Sequence, residues 1–153
     1  MQYIIRPHSL SSFLFLVPCV RAFYVSKSPL WKIGTIAMFI ASYMCNTDHS
    51  YCKIDYDMII VLSTIYVDDN RFSIGVIVGK SFADNYFLRG AVLLSAIAKM
   101  TFYKKYTAII CLLGICVYHS RLTVHENTNL YLFLTLLWHF AVTYNLSVCC
   151  GNI

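Results

Sequence analysis

Three places in this 153-residue chain set chemically capable side chains among apolar residues. The first is Ser42 with His49, a hydroxyl and an imidazole seven positions apart. That spacing puts both near one helix face if the helix over residues 30–45 continues so far. The second is Asp55 with Asp57, two carboxylates that open the next apolar run. Residues two apart on a helix point in different directions, so at most one of them turns inward. The third is His139, beside Trp138, about 15 Å along the last apolar run from Asn129 at ~1.5 Å per residue. Each group is costly in hydrocarbon unless it finds a partner. Local partners are one answer: Ser42 can bond the preceding helical turn, and His139 can bond across to another helix. His49, Asp55 and Asp57 can equally form a solvated loop end. The other answer is a shared site inside a bundle. His8, His119 and His125 fall near loops and read as solvated.

The elements that would position these groups are apolar runs at residues 9–24, 30–45, 56–67, 72–78, 88–100, 106–118 and 129–150. The last has no charged residue and reaches the roughly 20 residues that a bilayer needs. The shorter runs are served by snorkelling flanks or local bilayer thinning, and Trp31 and Lys32 stand at the start of the second run like interfacial anchors. The runs are continuously apolar, whereas strands of a membrane barrel alternate. The sequence therefore predicts an all-α, multi-pass transmembrane bundle of six or seven helices, with residues 1–153 as a single domain. Two runs are ambiguous. Run 72–78 is short, and reads as part of a crossing that extends toward Phe87 or as a re-entrant or interfacial piece. Run 9–24 is either a first spanning helix, in which Arg21 snorkels, or the apolar part of a signal peptide that ends near residue 22.

Composition points the same way. The chain is 59% hydrophobic and only 12% charged, with a mean hydropathy of +0.64, whereas soluble domains carry about a quarter charged residues. A surface this apolar would aggregate in water, so the lipid bilayer is the expected partner. The net charge of +5 is spread as single residues, with only Lys104 and Lys105 adjacent. That distribution excludes a basic nucleic-acid face, which needs clustering. With seven crossings, Arg21, Lys27, Lys32, Arg71, Lys99, Lys104 and Lys105 oppose Arg6, Lys53, Lys80, Arg89 and Arg121. The larger set marks the cytosolic side, which places the C-terminus there. The seven cysteines form no CxxC pair and are odd in number, so neither a zinc ribbon nor a complete disulfide framework is expected. Cys149 and Cys150 end the last run, a position open to palmitoylation. Asn145-Leu146-Ser147 matches a glycosylation acceptor but faces the cytosol in this orientation, so no glycan is expected.

Ser42, His49 and Asp55 in ASYMCNTDHSYCKIDYD, with Trp138-His139 in LYLFLTLLWHF, resemble in order the CREST superfamily. That group comprises alkaline ceramidases, progestin/adiponectin receptors and haemolysin III-like proteins. The resemblance implies seven helices and, in the enzymes, a zinc ion held by three histidines. The family's second-helix Ser and His stand four apart; here that position is Asn46, and His49 lies three further on. The family's last helix carries His-x-x-x-His; here Thr135 takes the first place and His139 the second. On this resemblance His49 and His139 are the metal ligands, with Asp55 able to add an oxygen, and Ser42 and Asp55 are the catalytic residues. A zinc-bound water would then attack an amide or ester carbonyl, and the substrate would be a lipid.

Two expectations follow. The first is a small multi-pass membrane protein with an accessory or structural role, no intact catalytic site and no cofactor. The alternative is a divergent CREST-like metal-dependent hydrolase of a lipid amide or ester, with zinc. A pore or transporter would need polar stripes on several helices, and Thr135, Thr143 and Asn145 on one helix are too few.

Overall fold

Helix starts in this chain are written locally. Ser28 precedes Pro29, and its Oγ accepts a hydrogen bond from Trp31 N at 3.1 Å. A capping hydroxyl and a proline in the first turn both favour a helix beginning there. Thr128 does the same for the last helix, its hydroxyl accepting from Tyr131 N at 3.2 Å. The computed structural model describes residues 7–47, 54–71, 74–75 and 86–153. Among the described residues every regular element is helical. The main ones are α1 (Pro7–Leu10), α2 (Leu16–Val25), α3 (Pro29–Thr47), α4 (Ile54–Val67), α5 (Tyr86–Tyr103), α6 (Lys105–Leu122) and α7 (Asn129–Cys149). His49 and most of run 72–78 lie outside the described residues.

The first run is not one continuous α-helix. A 3-10 stretch, Ser11–Phe15, separates α1 from α2. Pro18 lacks an N–H, so it fits the first turn of α2, where none is needed. One helical stretch, Asn129–Asn152, is long and apolar enough on its own to cross a membrane. Ser11–Val25 and Tyr106–Leu122 are apolar but shorter.

Contacts at the helix ends fix the directions. Lys27 N donates to Ile153 O at 2.8 Å, Ser28 Oγ to Asp69 Oδ1 at 2.5 Å, and Trp31 Nε1 to Cys150 Sγ at 3.2 Å. Lys99 Nζ donates to Tyr66 O at the same end. The opposite end holds the ion pairs Arg89–Asp57 and Arg121–Asp55. The start of α4 thus lies beside the start of α5, and the two ends also meet. The two helices are therefore parallel. Gly75 lies against Val61 and Thr64 of α4 with no room for a Cβ.

Packing closes the bundle around Trp31, Met38, Leu62, Tyr66 and Trp138, all buried. Gly114 brings α6 close to α7, since a Cβ there would stand 3.0 Å from Ala141 Cβ and 3.9 Å from the Trp138 ring. The segment from α1 to α2 belongs to this core, with Phe15 and Ala22 fully buried.

Candidate functional site

His139 is fully buried near the middle of α7. Its Nδ1 lies 2.5 Å from Ser11 Oγ in the 3-10 stretch. Its Nε2 lies 3.2 Å from Ser42 Oγ and 3.3 Å from Asn46 Nδ2, both on α3. Ser12 Oγ is 3.1 Å from Ser42 Oγ and 3.3 Å from Asn46 Nδ2. The Phe15 ring meets the imidazole nearly edge-on, with centroids 5.3 Å apart. Three elements thus converge on one imidazole: the N-terminal segment, α3 and α7.

The two neutral tautomers of His139 pair the serines in opposite senses. With the proton on Nδ1, Nδ1–H donates to Ser11 Oγ and Nε2 accepts from Ser42 O–H or Asn46 Nδ2; with the proton on Nε2, Ser11 O–H donates to Nδ1 and Nε2–H to Ser42 Oγ. Asn46 Nδ2 donates to Ser42 O at 2.7 Å in either case. The first tautomer gives Ser42, His139 and Ser11 the connectivity of a nucleophile, a base and a group that orients the base. Ser12, Ser42 and His139 are fully buried, and the two cavities seen among the described residues are lined by other side chains.

Asp55 does not join this centre. It is fully buried at the start of α4, where its charge complements the helix dipole. Its Oδ1 accepts from Tyr56 N at 2.8 Å, and its Oδ2 faces Arg121 Nη2 at 3.7 Å. Arg121, in the last turn of α6, is also well placed for that helix's dipole. Asp57 turns the other way and pairs with Arg89, as residues two apart must. An aromatic ladder links the two pairs. The Arg89 guanidinium lies 5.3 Å over Tyr56, Tyr56 stacks on Tyr118 at 4.9 Å, and Arg121 lies 4.9 Å over Tyr118.

Of the four residues expected to do chemistry, the structure brings Ser42 and His139 together, gives Asp55 to Arg121, and leaves His49 outside the described residues. The groups around His139 are hydroxyls and an amide, whereas catalytic zinc takes three donors of imidazole, thiolate or carboxylate type. Among the described residues no three such side chains gather, and the set does not fit zinc. Ser11 and Ser12 went unnoticed in the sequence; their only signal is adjacent hydroxyls in an apolar run. Arg89 and Arg121 read as loop charges but are 4% and 2% exposed. The thiols proposed for acylation are buried, Cys149 and Cys150 being 2% and 0% exposed. Asn145, in the glycosylation triplet, is buried as well.

Comparison with protein-family models, with curated proteins and with solved structures finds no match to this chain.

Proposed function

We propose that the chain is a small multi-pass integral membrane protein with a structural or accessory role, and that its polar centre fastens helices rather than catalysing a reaction. The observation that carries this reading is the inverted polarity of the helices. On α7 the outward stripe is Leu130, Phe133, Leu137, Phe140 and Tyr144, while Thr135, His139, Thr143 and Asn145 are buried. Ile33, Ile36 and Ile40 are exposed on α3, where Thr35, Ser42 and Asn46 are buried. In water such faces would associate; in lipid they are the solvent-compatible side. The apolar runs count six or seven crossings, and the distribution of Lys and Arg puts the C-terminus on the cytosolic side. Helix α4 spans about 21 Å at ~1.5 Å per residue, so flanking side chains or local thinning must make up the difference. Alkaline carbonate extraction of membranes containing the chain tests this. It stays in the pellet if it crosses the bilayer, and release into the supernatant sinks the reading.

A second reading, a divergent hydrolase of a lipid amide or ester of the CREST type, is favoured by the Ser42–His139 contact at 3.2 Å. It expects purified protein to carry stoichiometric zinc and to release fatty acid from a lipid amide or ester, with release abolished in Ser42→Ala and His139→Ala. Turnover that is absent, or unchanged in His139→Ala, disposes of it.

A further inference from the structure

Between α4, α5, α6 and α7, with Trp31 of α3 at one side, lies a partly open cavity of about 50 Å³. It occupies the half of the bundle nearer the C-terminal end, above Trp138. Its wall is almost wholly apolar, with Leu62, Leu93, Ile115 and Val142 among its residues, and no charged side chain lines it. Three residues bring a hydroxyl or an amide to that wall, Ser63, Tyr66 and Asn145, and Ser63 Oγ already donates to Ile59 O at 2.7 Å. Asn145 is 8% exposed, and its Oδ1 has no hydrogen-bond partner. A buried polar atom left unpaired is costly, so a group that can donate to it is strongly favoured there.

Depth gives the ligand its orientation. Asn145 stands four residues before the end of α7 at Cys149, about 6 Å below that end at ~1.5 Å per residue. Trp138 lies two turns deeper. The volume holds about four water-sized groups at roughly 10–15 Å³ each, enough for a short stretch of alkyl chain. With no cation in the wall, a carboxylate would be buried without a counter-charge, which is strongly unfavourable. A neutral hydroxyl or amide N–H has no such penalty, and a hydroxyl can meet either end of the Asn145 amide.

We infer that this cavity binds the chain of a neutral, hydroxyl- or amide-bearing lipid, with its polar group at Asn145 and its chain running toward Trp138. The inference rests on the membrane reading above, because the ligand arrives from the bilayer.

The chain's two tryptophans, Trp31 and Trp138, both line the cavity and are 1% and 2% exposed. Bromine quenches tryptophan on contact, so they report occupancy directly. Full-length protein in phosphatidylcholine vesicles is titrated with ω-bromoundecanol, ω-bromoundecanoic acid and bromoundecane. The alcohol is expected to quench saturably, at about fivefold lower concentration than the alkane, which is one neutral hydrogen bond; the acid binds no better than the alkane. Asn145→Ala brings the alcohol to the level of the alkane. Quenching by all three probes that rises linearly with their membrane content overturns the proposal, as does tighter binding of the acid. The unmodified protein decides this even if the variant fails to fold. Carbonate extraction of the same preparation separates the two failures: a chain that stays in the membrane yet shows no saturable quenching refutes the cavity alone.

Discussion

Ser11 Oγ and His139 Nδ1 meet at 2.5 Å across 128 positions of sequence. The first described turns of the chain are thereby joined to the middle of its last helix, in a contact that excludes solvent. Ser42 and Asn46 approach the other ring nitrogen, so a single imidazole serves three elements.

A double-mutant cycle measures that fastening. Ser11→Ala and His139→Ala should be coupled by about 1 kcal/mol, within the ~0.6–1.7 kcal/mol found for hydrogen bonds between membrane helices. The readout is unfolding in mixed micelles as denaturing detergent increases. Strict additivity of the two changes would mean that the contact contributes nothing.

The Asp55–Arg121 pair makes a sharper prediction because both partners are buried. Arg121→Leu leaves Asp55 without its counter-charge and should cost about 3–5 kcal/mol. Replacing both residues with Leu removes the orphaned charge and should recover most of that loss. A double variant as unstable as the single one contradicts this account of the pair.

Glycines separate tight from open surfaces. Gly114→Val forces α6 away from α7, where even a Cβ is only 3.0 Å from Ala141, and should destabilise by about 1–3 kcal/mol. Gly90→Ala meets nothing within 4 Å and should be neutral or stabilise by up to about 1 kcal/mol through helix propensity. Thermal unfolding of the two variants side by side checks the order.

The N-terminal segment gives the fourth test. A chain lacking residues 1–25 loses Ser11, Ser12, Phe15 and Ala22 and uncovers the polar centre. It should fail to give a monodisperse species in detergent, and co-expression of the missing segment should restore one. A well-behaved shortened chain would show that the segment is dispensable.

Sequence legibility followed the range of each interaction. Apolar runs set α3 to α7 to within a few residues, because helix formation and burial both read local pattern. His139 stood out because an imidazole in hydrocarbon must have a partner, yet its partner Ser11 is a common residue far away in the chain. Arg121 was misread for the opposite reason. A charge at the end of a run looks like a loop residue; the Tyr118 ring beside it comes from the same helix, but only the approach of α4 to α6 supplies Asp55. The break at Ser11–Phe15 was not visible as hydropathy, since a 3-10 turn and an α-turn bury the same residues.

The parallel course of α4 and α5 has a consequence for how the chain is made. Helices α3 and α4, and α6 and α7, are antiparallel neighbours joined by short connections, so each pair can assemble as soon as it leaves the ribosome. Helix α5 forms no such hairpin with α4, because the two run parallel. The α4–α5 seam therefore closes over a longer stretch of chain than either hairpin does. A synthesis arrested after Val67 would leave the α4 face that carries Asp57 and Ile60 waiting for a helix not yet translated.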